Sequence, residues 1–517
     1  MINELCNEAY KNINNGNIEK ALKILREIEN LQTDDLYKDY YSSGIYIDIG
    51  SILYKEELIK KGIHGLENNL FQLEQDNNIK QSVYYNLGNG YNALFSLKRR
   101  TNPFYGFMTK DIESHKAINF YNKSLKCKIL NPEILVYIFV NMANLLDSVG
   151  RSIEAIEYYD KALSINPNFG MALANKGMSL KYYARLTGDR WVTHYKDSYN
   201  LMKLGLDKGV YKEAEEIFLK HIKEMEKYVD FNKCKDICNL KTLNITSESD
   251  LEKFSKEFCI KHKLYLNLCN HCQKCNSALG DDMAINKMII SVEIPLENDP
   301  FLKLSSFINE IKQNYITARF LLIQSRFNDD TLNFVDKDVT IVDTLNYVEN
   351  NIYVQLVKFA FKNMFDILDK IAIFINEYLK MDKKERYIDF NSIWYENSDR
   401  KREKIHNKIL ETNNFNLNAL FNIYLDLNNG RYEELVEIRH ALTHRFLDVY
   451  WMGDNSIQSM SEEYLVEQTI RIAKVVRNAI IYLLSFVDLE ESKKEKNTKE
   501  KIGIMNAFNI PDELKHY

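Results

Sequence analysis

Between Pro300 and Pro511 the chain contains no proline. Proline lacks an amide hydrogen and its ring clashes with the preceding turn, so it breaks a helix from within. Its absence over such a length permits long uninterrupted helices in the C-terminal half. The apolar pattern uses that freedom. Residues 301–327, 354–381 and 465–489 carry apolar side chains at three- and four-residue steps, the period of a helix with one buried face. A further helix is expected from about Arg431 to Tyr450, opened by the turn signal Asn428-Asn429-Gly430. Four or five such helices predict an antiparallel bundle.

The N-terminal half shows a different regularity. Residues 136–169 read VYIFVNMANLLDSVGRSIEAIEYYDKALSINPNF. Ala143, Ala155, Tyr159, Ala162 and Pro167 occupy small, small, aromatic, small and proline positions. Small residues let two helices of a hairpin approach closely, aromatics fill the space between successive hairpins, and proline ends the second helix. The pattern resembles a tetratricopeptide repeat, whose period is about 34 residues. Phe139 stands for the usual Trp and Ala143 for the usual Gly. Weaker copies flank it, around Ala9 and Ala21, from Tyr40 and Gly44, from Tyr84 to Tyr91 with Ala117 and Tyr121, and around Leu173, Gly177 and Leu180. One copy carries an insertion at 98–110 and the last is interrupted near LTGDRW. A single repeat cannot bury its apolar face, so neighbours must stack. Residues 1–225 are therefore expected to form an α-solenoid, and solenoids of this kind are usually binding surfaces.

At 517 residues the chain is long enough for two or three cores. The expected order is solenoid (1–225), cysteine-rich connection (226–299), bundle (300–489), then a charged linker and tail (490–517). The fold class is all-α. The formal net charge of −5 excludes a protein coated in basic charge for indiscriminate nucleic-acid binding, though not a local basic site. No apolar stretch approaches the ~20 residues that span a bilayer, so the protein is expected to be cytoplasmic, with no membrane partner.

Six of the eight cysteines fall within 234–275. Cys269, Cys272 and Cys275 are spaced by two residues, and Cys259, His262, Cys238 or Cys234 could complete a zinc set. None gives the standard spacing, so a thiol-rich loop without metal is the favoured expectation, and no cofactor is expected. Asp281 and Asp282 after Gly280 read as a turn or helix cap.

The chemistry concentrates in EIRHALTHRF, residues 437–446. Projected at 100° per residue, Leu435, Ile438, Leu442, Phe446 and Val449 form an apolar stripe with Arg439 at its edge. Glu437, His440 and His444 share the opposite side. Three readings follow: solvated helix surface, a Glu-x2-His-x3-His metal face, or an Arg-His pair for phosphodiester chemistry.

FKNMFDILDKIAIFINEYL, then FNSIWY (390–395), then the R-x4-H of EIRHALTHRF, resemble the HEPN superfamily of prokaryotic ribonucleases. The branch that it is most similar to places tetratricopeptide repeats before the HEPN domain. The resemblance implies metal-independent endoribonuclease activity through 2′-hydroxyl attack, leaving a cyclic phosphate. It implies Arg439 and His444 as catalytic residues, completed across a homodimer whose motif helices face each other. His440, Glu437, Arg445, Arg319 and Arg326 are expected to support the site or contact RNA. His440 departs from the Asn that often follows the motif arginine. The resemblance also implies antiphage defence or a toxin-like response, with a protein or phage-derived trigger on the solenoid. The alternatives are a catalytically inactive adaptor or RNA-binding scaffold, and a metal-dependent hydrolase built on Glu437, His440 and His444.

Overall fold

The computed structural model describes residues 2–31, 36–110, 112–184, 191–233, 243–271, 276–285, 287–291, 300–327, 330–343, 345–396, 403–454, 456–457, 459–497, 502–506 and 510–515. They divide into two compact units, Met1–Cys234 and Lys235–Tyr517.

The first unit is helical throughout its described residues. Its helices are α1 (Ile2–Asn14), α2 (Ile18–Glu29), α3 (Leu36–Ile52), α4 (Glu56–Asn68), the short α5 (Leu70–Leu73), α6 (Lys80–Thr101), α7 (Glu113–Leu125), α8 (Pro132–Ser148), α9 (Ser152–Ile165), α10 (Gly170–Tyr183), α11 (Trp191–Lys208) and α12 (Lys212–Glu226). The pairs α1/α2, α3/α4, α6/α7, α8/α9 and α10/α11 pack as hairpins, and each hairpin touches the next. One apolar core runs from Tyr40 to Ala172, across hairpin boundaries.

Residue chemistry explains the local choices. Asn131 caps α8 by accepting from the Glu133 amide at 2.9 Å, and Pro132 occupies the first helical turn. Ala143, Ala155, Tyr159 and Ala162 are all buried, and Phe139 packs on Tyr158 at 6.0 Å between ring centroids. A Cβ on Gly88 would lie 2.5 Å from the Tyr121 ring, so only glycine admits that crossing. Asparagines link successive hairpins: Asn89 accepts from Tyr121 of its own hairpin (2.9 Å) and from Asn141 of the next (3.0 Å), and Asn144 accepts from Tyr159 of its own (2.5 Å) and from Asn175 of the next (2.9 Å). The insertion begins later than its sequence implied, because α6 continues through Thr101. Of LTGDRW, only Trp191 lies within the described residues.

The second unit is built on α13 (Asp250–His262), α14 (Pro300–Arg326), the short α15 (Asn333–Asp336), α16 (Ile352–Tyr378), the short α17 (Asn407–Thr412), α18 (Phe415–Asn429), α19 (Glu433–His444) and α20 (Glu462–Asn497). Lys303 pairs with Glu377 at 2.8 Å and Glu310 pairs with Lys370, so α14 and α16 run antiparallel. Helix α20 buries nearly every residue from Val475 to Val487.

Two short ladders accompany the helices. Strand β1 (Lys287–Ser291) pairs antiparallel with β4 (Ile502–Asn506), Lys287 opposite Asn506. Strands β2 (Val449–Tyr450) and β3 (Met460–Ser461) pair in parallel.

Three expectations change here. The charged run from residue 490 is not a free linker at its start. Helix α20 continues to Asn497, because Glu491 is fully buried and accepts from the Tyr378 hydroxyl at 2.6 Å, while Glu490 accepts from Asn414 at 2.7 Å. From Lys235 onward the cysteine-rich connection groups with the bundle. Buried Arg477 donates to the carbonyls of Tyr265 (2.7 Å) and Asn267 (2.9 Å), which ties that stretch to α20. Helix α19 ends at His444, six residues before Tyr450, since Arg445 is extended (φ −139°, ψ −179°).

Candidate functional site

The motif occupies the last two turns of α19. Glu433 and Glu434 open the helix, where its partial positive end favours acids. Leu435, Ile438 and Ala441 form its buried face. Phe446, expected on that stripe, is 99% exposed, because the chain has already left the helix. Val449 is buried, but within β2.

The segment after His444 is anchored. Lys358 of α16 donates to the Leu447 carbonyl at 2.7 Å. The Glu349 amide donates to Val449 (2.7 Å) and the Trp451 amide to Tyr347 (3.0 Å). The end of α19 thus has a fixed place on the bundle.

Arg439 is half-buried, with its side chain 31% exposed. Its Nη2 donates to Asp369 Oδ2 of α16 at 3.1 Å, and its guanidinium carbon lies 5.1 Å from the Phe365 ring centroid. Glu437, His440 and His444 are exposed. The two imidazoles stack at 6.1 Å with 30° between planes. Arginine and histidines therefore occupy different sides of α19, as the helical projection required.

The remaining arginines separate clearly. Arg445 is exposed. Arg326 is half-buried and pairs with Glu462 at 2.7 Å. Arg319 is 6% exposed; it grips both oxygens of Asp281 (2.8 and 2.7 Å) and donates to the Leu264 carbonyl at 3.0 Å. Its guanidinium is turned inward, a structural staple in place of the expected phosphate contact. Asp281 is not a helix cap; its Oδ1 also accepts from the Leu266 amide at 2.7 Å.

Cys259 and Cys269 are buried and neither forms a disulfide, and burial pushes the Cys259 thiol up to about 11. Cys272, Cys275, Cys234 and Cys238 lie outside the described residues. Among the described residues no three His, Cys, Asp or Glu side chains group closely enough to hold a metal ion.

Residues 297–490 match the LA2681-like HEPN family, and residues 136–169 match the tetratricopeptide repeat. The chain joins a tetratricopeptide repeat to an HEPN domain. The match spans α14 through most of α20, so the R-x4-H motif lies inside the HEPN domain. No curated protein matches the chain. No described helix is long and apolar enough to cross a membrane.

Asp369 and Phe365 escaped the sequence reading. Their signal was present: one acid on the edge of an otherwise apolar α16 face, four residues after an aromatic. Its partner lies 70 residues further on, so periodicity alone could not pair them.

Proposed function

We propose that the protein is a metal-independent endoribonuclease acting through Arg439 and His444, with the repeat unit receiving a protein or phage-derived trigger. The observation that carries this reading is the R-x4-H motif at the exposed end of α19 in an HEPN-matched bundle. The 2′-hydroxyl of RNA gives up a proton and attacks the adjacent phosphorus. The 5′-oxygen leaves with a proton, and a 2′,3′-cyclic phosphate remains. His444 is the exposed group suited to exchange those protons, since an imidazole nitrogen can accept a proton and return it. Arg439 is the permanent cation for the charge that gathers on the phosphoryl oxygens.

One chain presents Arg439 and His444 on different sides of α19. We therefore place the working site between two copies, each contributing its motif helix. The net charge of −5 disfavours unregulated RNA binding and fits an enzyme released by a trigger in a defence or toxin-like response.

Purified protein incubated with bulk RNA in excess EDTA tests the proposal. Cleavage that persists in EDTA and is lost in both Arg439→Ala and His444→Ala supports it. Cleavage that requires a divalent ion favours the metal reading on Glu437, His440 and His444. Absence of cleavage with and without candidate triggers favours the adaptor.

A further inference from the structure

The FNSIWY segment contains none of the proposed catalytic residues, yet the bundle invests heavily in fixing it. Trp394 and Tyr395 are fully buried. The Trp394 indole donates to the Phe390 carbonyl at 2.7 Å and packs edge-on against Phe390 (5.7 Å) and Phe421 of α18 (5.5 Å). Asp389 accepts from the amides of Asn391 (2.9 Å) and Ser392 (2.7 Å). Lys383 donates to the Ser392 carbonyl at 3.0 Å, and Asn428 of α18 donates to the Asn391 side chain at 2.8 Å. Such a knot of aromatic and polar contacts holds one backbone group in place: the Phe390 amide, which donates to Asp369 Oδ1 at 2.9 Å.

Asp369 is thereby held from one side and holds Arg439 from the other. Oδ1 is taken by the Phe390 amide, and Oδ2 receives Arg439 through a single Nη2 contact. Phe365, one turn earlier on α16, lies beneath the same guanidinium. A guanidinium offers five N–H donors in a fixed fork, so one bond to Asp369 leaves donors for a phosphate. Arg319 is the opposite arrangement, with both carboxylate oxygens and a carbonyl engaged and no outward face.

A neutral acceptor would satisfy the Phe390 amide at lower desolvation cost. Burial pushes the Asp369 carboxyl above its usual range, against the pull of the Phe390 amide and Arg439, while Asp389 adds a further upward push. A carboxylate in this place is explained by its need for a charged partner.

We propose that Asp369 is a positioning residue for Arg439, and that the 389–395 segment fixes Asp369 so that the guanidinium presents its unused donors to an RNA phosphate. The inference rests on the ribonuclease reading for its purpose, but the positioning has its own readout.

Two measurements on the full-length chain test it. The first is NMR of 13C,15N-arginine-labelled protein, with Arg439→Ala supplying the assignment. Arg439 is expected to show hindered rotation of its guanidinium in the wild type and free rotation in Asp369→Asn. Free rotation in the wild type overturns the inference, whatever the protein does to RNA. Hindered rotation in a wild type that cleaves no RNA upholds the positioning and defeats the ribonuclease reading.

The second is kinetic. A misplacement of about 1 Å costs on the order of 100-fold in rate, so Asp369→Asn is expected to lower kcat by roughly 10- to 100-fold with KM nearly unchanged. Arg439→Ala combined with Asp369→Asn is expected to be no slower than Arg439→Ala alone, because both act through one group. Multiplying losses, or an unchanged kcat with a lower melting temperature, would overturn the proposal. Asn391→Ala loosens the segment without touching Asp369. It guards against a misfolded Asp369 variant and is expected to lower kcat in the same direction by a smaller factor; an unchanged kcat there counts against the support role of 389–395.

Discussion

The two units hold themselves together by different means. In the repeat unit contacts stay within a hairpin, as Gly88 against Tyr121 and Phe139 against Tyr158 do, or reach only the next one, as Asn89 does in bridging to Asn141. In the second unit the decisive contacts are polar and span long stretches of chain. Arg477 grips carbonyls more than 200 residues earlier, and Arg319 reaches Asp281. Repeat packing tolerates a local weakness, as a stack of near-neighbour units should. The second unit concentrates its closure in a few buried arginines. The difference also separates the structural arginines from the one proposed to act on RNA. Arg319 and Arg477 are buried and each holds several acceptors, whereas Arg439 is half-exposed with one carboxylate contact.

The widest stability effect is expected at Arg319. Arg319→Ala leaves the largely buried Asp281 carboxylate without its cation, which costs on the order of 3 kcal/mol. Hydrogen exchange resolved by unit is expected to show loss of protection throughout the second unit and little change in the first. Equal losses in both would break the comparison.

Tyr159→Ala is expected to cost roughly 3 kcal/mol, since it empties a buried aromatic site. Here protection should fall in α8 to α10 and fade in more distant repeats. A uniform loss across the first unit would show that the repeats do not act as neighbours.

A further effect concerns pH. Burial pushes Asp48 up to about 7 and Asp147 up to about 6, both in the repeat unit. Their folded values lie above those of an unfolded carboxyl, near 4. The folded state then binds protons more tightly, so stability is greatest at low pH and declines as pH rises from about 4 towards 7. Protection of the repeat unit measured at pH 5 and pH 8 is expected to be lower at pH 8, and Asp48→Asn should flatten that slope. An unchanged slope in Asp48→Asn would assign it elsewhere.

Much of the fold was legible because it is written in periodic patterns. Apolar steps gave α14, α16 and α20 to within a few residues at their starts, and the small-aromatic-small pattern gave α8/α9. Errors fell where a tertiary contact overrode local composition. The charged run after residue 490 looks solvated, but Tyr378 and Asn414 capture its first two acids. Phe446 completes an apolar stripe on paper, yet the extended backbone at Arg445 ends the helix before it. Arg319 and Arg445 are the same residue type in sequence, and only packing shows one inward and the other outward. Asp369 was illegible for the same reason, since its meaning depends on Phe390 and Arg439, which the chain brings together from two other elements.

The central claim is that Arg439 and His444 direct a 2′-hydroxyl attack without metal. The most direct test is the chemistry of the cut end, determined on a defined RNA in excess EDTA beside the same RNA with a single 2′-deoxy substitution at the cleaved position. The account predicts a 2′,3′-cyclic phosphate and a 5′-hydroxyl on the first RNA, and no cut at the substituted position on the second. Cleavage at the deoxy position, or 5′-phosphate ends that appear only with a divalent ion, would contradict it.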